Sequence, residues 1–165
     1  MNPHLAPQQR LSKGAKILAN LVGLTYGPSG QNVLIQRFSG LLATKDGVTV
    51  TREAGSSDCI ADAAIAVIRD ACLRVEERPG DGTTTTALLA SVIFHEAQKL
   101  LVSGVNPVDL GREMEDAAHR VIHLIESLVL PVPSEDILLR VAMIASKGDT
   151  EVSEAIAKAV SEIGD

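Results

Sequence analysis

Apolar residues recur at steps of three and four along most of this chain, and turns rich in glycine and proline punctuate them. From residue 8 to about 24, Leu11, Leu18 and Val22 share a helical face with Ala15 and Ala19, while Ser12, Lys13, Lys16 and Asn20 fall mostly elsewhere. That spacing predicts an amphipathic helix. Thr25-Tyr26-Gly27-Pro28-Ser29-Gly30 stops it with a tight turn. Two short runs rich in Val, Leu and Ile, 32–36 and 41–44, then flank Arg37-Phe38-Ser39-Gly40 and predict a β-hairpin. After Lys45-Asp46-Gly47, the β-branched Val48-Thr49-Val50 predicts a further short β-like stretch.

Helical spacing returns from about 58 to 77, where Ile65, Ile68, Cys72 and Val75 line one face up to Arg78-Pro79-Gly80. From 83 to about 102 the chain is apolar nearly all round, which predicts a central, buried helix. Asn106 and Pro107 suit the N-cap and first turn of a long helix, whose Leu110, Met114, Ala117, Val121, Leu124 and Leu128 form a seam for packing. Pro131-Val132-Pro133 marks the expected boundary between a first unit, 1–131, and a second, 132–165. In the second, Ser134 is expected to cap a helix over about 135–146, and another follows from about 150 to 163.

Composition sharpens this mainly α picture of a helical bundle with a small β-hairpin. Hydrophobic residues make up 45% of the 165 residues and aromatics only 2%, so the core must be built from aliphatic side chains and alanine at close helix spacing. A net charge of −6 argues against nucleic acid as a partner. Cys59 and Cys72 have no CxxC or neighbouring histidine, as expected of free thiols in a reducing compartment. No apolar run reaches the roughly 18 residues of a membrane span, and the start lacks a signal-sequence pattern; a cytoplasmic protein without a membrane partner is expected.

Candidate chemistry concentrates in three loops. In Gly80-Asp81-Gly82-Thr83-Thr84-Thr85 the glycines permit close backbone approach, and threonines at a helix N-terminus add hydroxyls to free N–H groups, an arrangement suited to a polyphosphate. Asp81 beside such an anion suits a Mg²⁺ ligand. The same residues equally describe a turn and a threonine-capped helix that needs no ligand. Thr25 to Gly30 repeats the helix-then-glycine arrangement, and Lys45-Asp46-Gly47 presents a cation and an anion side by side, suited to phosphate and to positioning a water or metal. Each of these is also an ordinary surface turn. His119 and His123 stand four apart but have no third ligand nearby, and Asp109, Glu113, Glu115, Asp116 and Glu126 read as a solvated face.

The order Thr-Tyr-Gly-Pro-Ser-Gly, Thr44-Lys45-Asp46-Gly47-Val48-Thr49-Val50, Gly-Asp-Gly-Thr-Thr-Thr and Gly104-Val105-Asn106-Pro107-Val108-Asp109-Leu110 resembles the amino-terminal third of GroEL-type, group I chaperonins over about residues 8–165. The Lys-Asp-Gly form carries the group I likeness. This resemblance implies that 1–131 is the first, ATP-binding segment of an equatorial domain and 132–165 the first part of an intermediate hinge domain. It implies Mg²⁺ and ATP as cofactors, with nucleotide contacts from Thr25, Tyr26, Gly27 and Pro28, from Lys45 and Gly47, and from Asp81, Gly82, Thr83, Thr84 and Thr85. Asp81 would hold Mg²⁺, Asp46 would position the attacking water, and Ile144 and Ala145 would approach from the hinge.

Partners implied by the likeness are unfolded client proteins, other chaperonin subunits in a ring, and a co-chaperonin. Ser29 stands where the family usually has a basic residue, and Tyr26 where it usually has leucine. The apical domain and the returning equatorial half, with the remaining catalytic aspartate, lie beyond the stretch matched here. The expectation is therefore an ATP-dependent folding chaperonin segment that is a poor ATPase alone. The rival expectation is a non-hydrolysing nucleotide-binding or regulatory module.

Overall fold

The computed structural model describes residues 6–27, 29–129, 134–146 and 148–163. The element order is α1 (Pro7–Gly23), β1 (Val33–Arg37), β2 (Gly40–Thr44), α2 (Gly47–Glu53), α3 (Cys59–Glu77), α4 (Thr83–Val102), α5 (Pro107–Leu128), α6 (Glu135–Ala145) and α7 (Thr150–Ile163). The mainly helical fold with one antiparallel hairpin is the expected one. Pro28 and the Pro131-Val132-Pro133 boundary lie outside the described residues. Two compact units are present, residues 1–110 and 111–165.

In the first unit α1, α3 and α4 pack on one another, and α2 packs beside them. The core is Ala15, Leu18 and Val22 of α1, Val50 of α2 with its C-cap Ala54, Ile65, Ile68 and Cys72 of α3, and Ala87 of α4, with Phe94 at its edge. It is aliphatic, as the composition requires. The helices approach closely at Gly14, where an added Cβ would strike the backbone carbonyl of Ala61. Nearby, Arg10 of α1 holds Asp58 through Nε to Oδ2 at 2.8 Å and Nη2 to Oδ1 at 2.5 Å. Asp58 is also the N-cap of α3, accepting from the N–H of Ile60 at 3.0 Å. The Arg10 bond, with those of the α3 backbone, lowers the Asp58 carboxyl to about 2.

The hairpin pairs Val33 with Thr44 and Arg37 with Gly40, and Val33 and Ile35 pack against the core. Residues 48–50 are not a strand. They belong to α2, whose N-cap Asp46 accepts at Oδ2 from the Thr49 N–H at 2.8 Å and the Thr49 hydroxyl at 2.6 Å. Capping and burial of Val50 and Thr51 override the β preference of the branched side chains.

The expectation of a central, buried α4 holds for its position, packed on α1 and α3, but not for its burial. Only Thr83 and Ala87 are buried in it, and Leu89, Val92, Ile93, Leu100 and Leu101 are exposed. Likewise α5 has no buried residue, and its seam residues Met114, Val121, Leu124 and Leu128 are exposed. Asn106 does cap α5, its Oδ1 accepting from the Val108 N–H at 2.8 Å. In the second unit α6 and α7 pack together around Ala142, Ser153 and Ala157. Ser134 occupies the N-cap position of α6, but its side chain makes no capping bond. Asp149 instead caps α7, accepting from Val152 N–H at 3.1 Å, and the Ser146 and Ser153 hydroxyls meet at 2.7 Å.

Candidate functional site: three loops around one cavity

The turn after α1 is set by its own backbone. Thr25 N–H and hydroxyl both donate to Val22 O, at 3.0 and 2.7 Å, and Gln31 N–H donates to Leu24 O at 2.6 Å. Gly27 has φ 73°, a conformation glycine adopts without strain. Gly30 has no room for a Cβ, which would strike Thr25 O. Thr25 itself is buried, while Tyr26 is exposed.

Gly80 and Gly82 both have positive φ, 77° and 94°. They turn the chain from α3 into α4, and Asp81 Oδ1 accepts from Gly82 N–H at 2.6 Å. Gly82 is the N-cap of α4 and has no side chain to offer to the free N–H groups of the first turn. The threonines lie inside the helix instead: Thr86 folds its hydroxyl back onto Gly82 O at 2.9 Å. A threonine cap therefore does not explain the run.

Together these loops line one cavity of about 330 Å³, formed by Thr25, Tyr26 and Gly27, by Asp46, Gly47 and Val48, and by Gly80, Asp81, Gly82, Thr83, Thr84 and Thr85. Its tightest joint is Gly47. A Cβ there would strike Thr84 Oγ1 and stand 3.3 Å from Thr25 Oγ1, so one glycine brings all three loops together. Beneath the floor, Cys72 Sγ donates to Thr83 O at 3.4 Å, and burial raises the thiol pKa.

Most residues singled out in the sequence thus converge. Lys45 is exposed and is not in the cavity lining. Ile144 and Ala145 lie at the end of α6 in the second unit, with Ile144 exposed. Val48 and Gly80 line the cavity without having been singled out as ligands, although each adjoins a residue that was. Among the described residues no group of three or more His, Cys, Asp or Glu side chains is placed to hold a metal. His123 pairs with Glu126 at 3.1 Å. No helix of the described residues is long and apolar enough to cross a membrane.

The residues that line the cavity have the chemistry to hold phosphate groups. Four glycines, helix N–H groups without a side-chain cap and threonine hydroxyls make a polar cradle, and Asp81 supplies an oxygen ligand suited to Mg²⁺.

A family model described as the TCP-1/cpn60 chaperonin family matches residues 18–165. The chain belongs to that family. Its fold is similar to the chaperonin gp146 from the bacteriophage EL 2 (Pseudomonas aeruginosa), determined in the presence of ATP-BeFx, at TM-score 0.78 and 30% identity over 92% of this chain and 27% of that one. A group III chaperonin in the open state matches at TM-score 0.83 and 27% identity, over 96% of this chain and 32% of that one. The chain spans about a third or less of the length of these chaperonins.

Proposed function

We propose that this chain is the ATP-binding portion of a chaperonin subunit, and that its three-loop cavity grips the phosphates of Mg-ATP. The observation that carries the proposal is the meeting of three glycine loops at Gly47, beside a helix N-terminus with no side-chain cap. Membership of the chaperonin family and the likeness to a chaperonin determined with ATP-BeFx support it.

In this proposal Gly82, Thr83, Thr84 and Thr85 cradle phosphate oxygens, Asp81 holds Mg²⁺, and Thr25, Tyr26, Gly27 and Pro28 contribute mainly backbone, since the Thr25 hydroxyl proton is committed to Val22 O. Bound Mg²⁺ would neutralise phosphate charge and orient the terminal phosphoryl group. Asp46, oriented by both bonds from Thr49, positions the attacking water as its base. Lys45 reaches phosphate from outside the lining, and Ile144 and Ala145 contact nucleotide from the hinge. Residues 1–131 and 132–165 are assigned to the equatorial and intermediate domains.

The group I assignment rests on Lys45-Asp46-Gly47, and with it we propose a cytoplasmic ring of like subunits acting on unfolded clients with a co-chaperonin. Binding without efficient turnover is the activity proposed for this chain alone, because it spans only about a third or less of the length of the chaperonins it resembles. The test is a thermal melt with and without Mg-ATP. At [ATP] of 100 Kd, binding stabilises by about 2.7 kcal/mol, a rise in Tm of roughly 5–10 °C for a chain of this size. Asp81→Ala should abolish the rise, and a wild-type chain that shows no rise would refute nucleotide binding.

A further inference from the structure

A seven-residue helix is too short to hold itself together, yet α2 carries Asp46 and Gly47 at its start. Something must fix it from outside. Arg69 of α3 does so: its Nε donates to Thr51 O at 3.1 Å, and its Nη2 donates to Ala54 O. Those are carbonyls of the last turn and C-cap of α2, which have no partners within the helix itself. The connection continues inward. Thr51 is fully buried, and its hydroxyl donates to Gly47 O at 2.7 Å. Gly47 in turn abuts Thr84 and Thr25.

Arg52 to Glu76 at 2.7 Å and Arg37 to Glu53 at 2.6 Å bind α2 to α3 and to β1 as well. Both pairs are more exposed than the Arg10 and Asp58 pair, and exposed pairs hold little. Arg69 is half-buried and reaches two carbonyls with one planar group, which a flexible ammonium does not reproduce. Three residues on, along the same face of α3, Cys72 meets the first residue of α4. One face of α3 therefore holds the roots of two of the three cavity loops.

We propose that Arg69 is a positioning residue for the phosphate cavity: although it is not in the cavity lining, its guanidinium clamps the end of α2 and, through Thr51, sets Asp46 and Gly47 against Thr84. This inference rests on the nucleotide assignment above for its functional half, and on geometry alone for the clamp. The two are separated by measuring amide hydrogen exchange and Mg-ATP affinity on the same 165-residue proteins, below their melting temperatures: wild type, Arg69→Met, Arg69→Lys and Ile65→Val.

Arg69→Met should speed exchange across residues 47–54 at least tenfold while α1 stays protected, and should weaken Mg-ATP about tenfold. Arg69→Lys should fall between it and wild type on both measures. Ile65→Val, a core change of comparable kind, should lower Tm yet leave the affinity unchanged. Unchanged exchange in 47–54 overturns the clamp. Faster exchange with unchanged affinity, or an equal loss of affinity in Ile65→Val, overturns the positioning role. Faster exchange in a wild-type background that binds no Mg-ATP overturns the nucleotide assignment, and the positioning role with it.

Discussion

Replacing Gly14 with alanine sets two effects of opposite sign against each other. Gly14 lies within α1, and a Gly to Ala change inside a helix ordinarily gains about 1 kcal/mol, partly by restricting the unfolded chain. Against that gain, the new Cβ would lie 2.7 Å from the carbonyl carbon of Ala61 and 2.9 Å from its Cα. These are backbone atoms of α3, so no side chain can rotate away. Relief requires α1 and α3 to separate between Leu18 and Ile65, both fully buried. Overpacking of this kind costs about 1–3 kcal/mol, and a backbone collision belongs at the upper end. The balance is about 2 kcal/mol of destabilisation, or roughly 8 °C in Tm for a unit of this size.

Gly111 supplies the control, since it lies in α5 and an added Cβ there meets nothing. Gly111→Ala should stabilise by about 0.5–1 kcal/mol. Urea titration and thermal melts followed by circular dichroism at 222 nm measure both. If Gly14→Ala proves as stable as wild type, or more so, the close crossing of α1 and α3 is wrong.

Three further outcomes are expected. The Asp58 carboxyl is lowered from an ordinary 3.8 to about 2, so its contribution to stability is complete above about pH 4 and is lost as pH falls through about 2; the Tm difference between wild type and Asp58→Asn should shrink over that interval and stay constant from pH 5 to 7. Cys59 is exposed and Cys72 buried, with the Cys72 thiol pKa raised, so iodoacetamide at pH 8 should label Cys59 at least tenfold faster; equal rates would contradict the packing of α3 against α4. Asp46→Asn keeps a capping side chain on α2, so Mg-ATP binding should persist while any hydrolysis by a full-length subunit is lost; retained turnover would remove the water-positioning role.

How far the sequence revealed this structure depends on what each residue answers to. The seam of Leu18 and Val22 in α1 and that of Ile65, Ile68 and Cys72 in α3 were legible because burial follows helical spacing, and all are buried. The apolar run of α4 was misleading, since composition marks a surface as apolar but does not say whether another element covers it. Val48 to Val50 misled in another way. Their branching favours a strand, and the deciding influences, the Asp46 cap and the Arg69 clamp from 15 or more residues away, are respectively a local bond and a tertiary one. The three loops were each ambiguous alone. Their meeting at Gly47 depends on α1, α2 and α4 being held side by side, which local spacing does not encode.

Backbone amide spectra of isotope-labelled protein, titrated with Mg-ATP, Mg-tripolyphosphate and adenosine, test the phosphate cradle most directly. Mg-ATP and Mg-tripolyphosphate should both move the resonances of Gly27, Gly47, Gly82, Thr83, Thr84 and Thr85, and adenosine should leave them in place. Unmoved resonances at Gly82 to Thr85 with Mg-ATP, or movement confined to the separate groove of Lys13, Lys16 and His95 between α1 and α4, would contradict it.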